Sequence, residues 1–158
     1  MHPKFIKPKL FEDDRGFFTE EFSTRDSDFR IKQVNRSFNH KKGTIRGLHF
    51  QYPKEQAKLI RCIKGQILDV SINLQTKEIF AYYLSKNDML LVPRGYAHSY
   101  VALKDDTEVV YYVDRLFRPD QSKGILWSSV PCAWPEINII SEQDKNWPTM
   151  EEVCKSFS

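Results

Sequence analysis

The chain is predicted to be all-β, a jelly-roll-like sandwich or barrel with a few short helices. Three observations carry this expectation. Apolar and polar residues alternate at period two through the middle of the sequence, the pattern of strands with one buried face. Turn signals recur at short intervals between these runs. Aromatic residues make up 13% of the sequence, with eleven Phe and seven Tyr, which suits pleated surfaces.

Taken in order, "STRDSDF" from Ser23 reads as a short helix capped by Ser23 or Thr24. "IRGLHFQ" (45–51) is strand-like, and Lys58 opens a second strand-like run, "KLIR". "GQILDVSINL" alternates most clearly. Leu68, Val70, Ile72 and Leu74 share one face, and Asp69, Ser71 and Asn73 the other, which predicts a half-buried strand. "IFAYYL", "MLLVP", "HSYVAL" and "EVVYYV" follow. Lys64-Gly65, Lys86-Asn87-Asp88, Pro93-Arg94-Gly95 and Lys104-Asp105-Asp106 supply the turns. The last stretch predicts one short helix capped at Ser141. Short strands with polar turns favour an antiparallel sandwich over βαβ units. A jelly roll is one way to manage the edges of so many strands.

At 158 residues the chain is expected to form one domain, residues 1–158. Basic residues number 24 and acidic ones 21, for a net charge of +3. That balance does not point to nucleic acid, but it suits a small anionic ligand. Three cysteines, with no CxxC pair, read as reduced thiols and predict a cytoplasmic protein. The N-terminal stretch has no apolar core of a signal peptide, and no run is long enough for a membrane helix.

His49 poses the functional question. Metal-binding cupins, which are jelly rolls, use an HxH pair, a later Glu and a PxGxxH segment. "PRGYAH" supplies Pro93, Gly95 and His98 at that spacing. The remaining positions carry Gln51, a poor metal ligand, and Lys58, whose ammonium repels cations. Two imidazoles do not complete a zinc or iron site, so no metal is expected. The other chemical reading is proton transfer. An imidazole titrates near about 6.5 and can accept a proton at neutral pH. A lysine can hold an oxyanion, and a tyrosine can return a proton from the opposite side. That set suits proton abstraction beside a carbonyl and inversion of a stereocentre. The alternative is a histidine that only packs and bonds to backbone.

"FEDDRGFFTEEF", "QVNRSF", "IRGLHFQ", "KLIRCIKGQILDV", "LLVPRGYAHSY", "EVVYYV", "LFRPDQ", "ILW" and "WPEINIISEQD" occur in this order. Together they resemble the dTDP-4-dehydrorhamnose 3,5-epimerase family, from about Phe11 to Asp144. The resemblance implies a cupin-like sandwich, usually a homodimer, that uses no cofactor or metal and acts on a nucleotide-linked 4-keto-6-deoxy sugar, most simply a dTDP sugar. It also implies roles. His49 falls on the base, Asp144 on its carboxylate partner, Tyr111 on the proton donor and Lys58 on the lysine facing the enolate. Arg46 and His98 match substrate-pocket residues. Gln51, beside the base, is grouped with them. Arg15, Glu20, Gln33 and Asn35 match segments that hold the nucleotide, with Arg15 and Glu20 reaching a neighbouring subunit. Phe117 matches an aromatic residue near the base.

Some positions depart from the family pattern. Ser122 stands where the family has a glutamate, and Gln143 where it has a lysine. The His49–Lys58 spacing is one residue short, and the segment after "SINL" is abbreviated. The Ser122 and Gln143 changes lie at the substrate periphery and leave the sugar and nucleotide open. The rival readings are inversion at C3 or C5 alone, a GDP-linked substrate, a ketoisomerase, a non-catalytic sugar-nucleotide-binding cupin, or a metal-dependent oxygenase. Along an unbroken strand Arg46 and His49 would face opposite ways. Either Gly47 relaxes the strand or Arg46 sits at the sheet rim.

Overall fold

The computed structural model describes residues 1–157 and, except at position 26, their side chains. Its strands are β1 (Lys4–Ile6), β2 (Phe11–Asp13), β3 (Gly16–Phe18), β4 (Gln33–Asn39), β5 (Ile45–Gln51) and β6 (Lys58–Lys64). They continue as β7 (Gln66–Asn73), β8 (Ile79–Ser85), β9 (Met89–Val92), β10 (Tyr96–Ala102), β11 (Thr107–Val113) and β12 (Ser122–Gly124). Two helices, α1 (Glu142–Lys145) and α2 (Met150–Cys154), close the chain. The strands form two five-stranded sheets, β1-β9-β6-β11-β4 and β12-β5-β10-β7-β8, with β2 and β3 as a separate hairpin. All named strand pairs are antiparallel, as the jelly-roll expectation requires. Asn87 and Asp106, both in turns read from the sequence, adopt positive φ.

Two expectations about helices need correction. "STRDSDF" makes only one 3₁₀ turn, Thr24–Asp26, capped by Ser23. The C-terminal stretch holds two helices, not one. Pro148 cannot continue α1, and Thr149 starts α2 with a capping box to Glu152.

Apolar packing occurs at three levels. Between the sheets, Ile60, Cys62 and Val109 meet Ile67, Tyr96 and Tyr100. The outer face of the β5-containing sheet packs Leu48, Phe50, Ile72 and Ala97 against the C-terminal segment, including Trp127, Trp134 and Phe157. Phe29, Leu59 and Met89 are covered by N-terminal side chains such as Phe22 and Ile6. The strand β7 alternates as expected but is buried on both faces, not one. Its apolar side faces the C-terminal segment. Its polar side, Asp69 and Ser71, points between the sheets, where the space is not fully filled. Among the described residues no helix is long and apolar enough to cross a membrane.

Candidate active site

Between the sheets lies a cavity of about 560 Å³. His49 and His98 line one wall, on the paired strands β5 and β10. Lys58 and Tyr111 line the facing wall, on the paired strands β6 and β11. Tyr111 and Val109, two residues apart on β11, both line the cavity.

A bulge places His49 and Arg46 together. Against β10, His49 pairs with His98 and Arg46 with Tyr100, so one strand advances three residues while the other advances two. Gly47 absorbs the offset at φ +110, a conformation that side chains rarely adopt. A Cβ there would meet the His98 carbonyl at 2.5 Å. Arg46 therefore lines the same cavity as His49, which resolves the question of facing.

Asp144 comes from far along the chain. Residues 138 and 139 are stitched beside Gly43 and Ile45 by backbone bonds, Ile45 N donating to Ile139 O at 3.0 Å. Ser141 then caps α1, its hydroxyl accepting from Asp144 N. Asp144 is delivered under β5. Its carboxylate meets His49 Nε2 at 2.5 Å and accepts from Gly47 N at 3.0 Å and from Trp147 Nε1 at 2.9 Å. The Asp144 side chain is 4% exposed, against 38% for His49. Burial alone would raise this carboxyl, but the His49 and Gly47 hydrogen bonds, with Trp147, hold it below the ordinary range. With Nε2–H donated to Asp144, Nδ1 keeps the ring's lone pair.

Lys58 is 9% exposed and donates to the His49 carbonyl at 3.3 Å. Burial pushes its ammonium down to about 8, with nearby Asp69 opposing the change. Asp69 also meets His98 Nε2 at 2.7 Å, and its other oxygen has no protein partner. Burial, followed by the neighbouring Tyr100 hydroxyl, raises the Tyr111 phenol, while Arg46 opposes the shift. Tyr111 therefore stays protonated at neutral pH, the form an acid needs. Among the described residues, no group of three or more His, Cys, Asp or Glu side chains converges as a metal site.

The other predicted residues are more dispersed. Gln33 and Asn35 bond to each other at 2.8 Å on the face of β4 that leads to Ser37 at the cavity wall. Gln33 also accepts from the Phe117 backbone N–H at 2.9 Å, while the Phe117 ring is half exposed and outside the wall. Gln51 is buried away from the cavity, bridging Lys54 O, Leu116 O and Arg118 N. Arg15 pairs with Asp13 on the β2–β3 hairpin, and Glu20 pairs with Arg25; neither reaches the cavity. Sequence reasoning missed Trp147, Tyr100, Asn39 and the functional setting of Asp69. Trp147 could have been suspected only from its place three residues after Asp144.

The family model for dTDP-4-dehydrorhamnose 3,5-epimerase matches residues 3–152. The chain belongs to this family. Relatives named dTDP-4-dehydrorhamnose 3,5-epimerase agree over nearly the whole length. The one from Sinorhizobium fredii is 33% identical, covering 98% of this chain and 88% of the relative. The one from Methanothermobacter thermautotrophicus is 34% identical, covering 93% and 89%. A solved epimerase of that name from Bacillus anthracis, with TDP and PPi bound, is 39% identical with a TM-score of 0.87, covering 93% of each chain. The residues matched by the family model include every segment that lines the cavity.

Proposed function

We propose that this protein is an isomerase of the dTDP-4-dehydrorhamnose 3,5-epimerase type, acting on a dTDP-4-keto-6-deoxyhexose. The observation that carries the reading is a carboxylate-bound imidazole and a protonated phenol on opposite walls of one cavity, with a buried ammonium on the wall that bears the phenol.

The chemistry follows from that set. The C4 ketone acidifies the hydrogens on C3 and C5. His49 takes one of them on the ring nitrogen away from Asp144, and the electron pair moves onto O4. Lys58 donates a hydrogen bond to the developing enolate oxygen. The Asp144 carboxylate stabilises the imidazolium that forms. Tyr111 then protonates the same carbon from the opposite face, which inverts it, and solvent restores both groups. One base and one acid can serve both carbons if the ring re-presents itself.

The rest of the reading concerns setting. The whole chain acts as one domain in this reading. The β2–β3 hairpin bears exposed Phe11, Phe17 and Phe18, the last 72% exposed, an apolar surface suited to a second copy. In a homodimer Arg15 and Glu20 would complete the nucleotide site of the neighbour. A cytoplasmic location is favoured by three cysteines without paired spacing.

The test is NMR in D₂O with dTDP-4-keto-6-deoxyglucose. Wild type should place deuterium at C3, C5 or both with inversion, and His49→Asn should place none. Exchange at the wild-type rate in a folded His49→Asn variant overturns the assignment. Deuterium at one carbon alone identifies a single-centre epimerase.

A further inference from the structure

The cavity contains a second phenol that the proposed chemistry does not use. Tyr100, on β10, is only 3% exposed and shares an inward face with His98. Its hydroxyl lies 2.5 Å from Ser37 Oγ and accepts from Asn39 Nδ2 at 3.3 Å. The Asn39 amide also donates to Thr107 O at 3.1 Å. Only the NH₂ end of an amide can donate, so the Thr107 carbonyl fixes which way Asn39 faces, and the Tyr100 hydroxyl steadies that amide from beside it, 3.5 Å from its oxygen. Its oxygen is left to accept from Arg46 Nε at 2.9 Å. Arg46 Nη2 donates to Phe38 O at 3.2 Å on the same side. The guanidinium is thus gripped along one edge, also acts on the Tyr100 hydroxyl directly, and lines the cavity wall.

We infer that Tyr100 is a positioning residue: through Asn39 it pre-orders Arg46 for the diphosphate of the substrate. This rests on the reading of Arg46 as a substrate contact. A planar guanidinium suits a phosphate group, and that pairing is strongest when its geometry is set beforehand. Arginine is long and rich in rotamers, so freezing it on binding weakens affinity unless it is already held. Tyr100 is too buried to serve as a general contact itself. Its hydroxyl steadies the amide, and the amide holds the cation.

The test is a double-mutant cycle on KM and kcat with Tyr100→Phe, Arg46→Ala and the pair. Tyr100→Phe removes one hydroxyl and keeps the ring. It should raise KM about five- to tenfold, with a smaller change in kcat. In the Arg46→Ala background it should add no further rise in KM. If Arg46→Ala leaves KM unchanged, the reading of Arg46 as a contact fails. If Arg46→Ala raises KM but Tyr100→Phe does not, or the two effects multiply in full, the Tyr100 inference alone fails. A loss confined to kcat also overturns it. Should Tyr100→Phe not fold, Ser37→Ala loosens the same hydroxyl. It should raise KM only where Arg46 is present, and equal effects in both backgrounds refute the relay.

Discussion

Replacing Lys58 with methionine should stabilise the protein while removing its activity. Burial holds this ammonium at about 8 from an ordinary 10.5, against the opposing pull of Asp69. At about 1.4 kcal/mol per pH unit, folding disfavours the charged amine by roughly 3 kcal/mol. The sign follows from proton counts. Between about pH 8 and 10.5 the unfolded chain holds a proton that the folded chain has released, so stability rises with pH across that window. Below about pH 8 the full penalty is present. Methionine has a similar length and no charge. It leaves the His49 carbonyl without its donor, which costs about 1 kcal/mol. The net gain is about 2 kcal/mol, or roughly 5 °C in Tm for a chain of this length. Turnover moves the other way. Without the ammonium, the developing oxyanion loses its donor, and the rate should fall about 10²- to 10³-fold. Thermal melts at pH 7 and pH 10, paired with deuterium exchange, give both readouts. The stability gap should shrink at the higher pH, where wild type has shed the proton. A lower Tm for the variant at pH 7, or a gap that widens with pH, would refute the reasoning.

Three further outcomes are expected. Asp144→Asn should slow deuterium exchange about 10²- to 10⁴-fold, because an amide cannot support the imidazolium. Because Asp144 is held below its ordinary pKa, it adds stability above about pH 4 that wild type loses on acidification, and acid melts of the variant should lack that component. Tyr111→Phe should retain washout of substrate deuterium more than it retains inversion; equal loss of both would count against its role as the acid. Gly124→Ala places a methyl into the Trp147 indole, so it should displace the ring, loosen Asp144 and lower exchange while the sheets stay folded: near-UV circular dichroism should change and far-UV should not.

Legibility in the sequence followed apolar alternation and bounding turns, not whether a strand lines the cavity. β8 to β11 stand out because their alternation and turns agree. β4 reads "QVNRSFN" and carries its polar residues inward toward the cavity, so its period-two pattern is not a hydrophobic one. β1, β2 and β3 have three residues each, too few for any periodicity. In β7 the alternation was correct but half-burial was not, since Asp69 and Ser71 are buried as well. The set proposed for catalysis was legible through the family motifs. Its assembly was not, because Asp144 meets His49 across 95 positions of sequence and Arg46 joins them only through the bulge at Gly47. Tyr100 sits in "HSYVAL", where an inward tyrosine looks like any core aromatic residue.

The placement of Asp69 and Ser71 leaves this sandwich partly inside out. Its middle layer, where a protein normally concentrates oily side chains, is given over in part to ionisable groups and open space. The inter-sheet cluster around Ile60, Cys62 and Val109 is therefore supplemented from the periphery, where Trp127, Trp134, Met150, Val153 and Phe157 clasp the back of one sheet. The same closing segment also delivers Asp144. Trimming the tail to probe catalysis would peel away the clasp along with the carboxylate, so deletion cannot separate the two roles and only point substitution can.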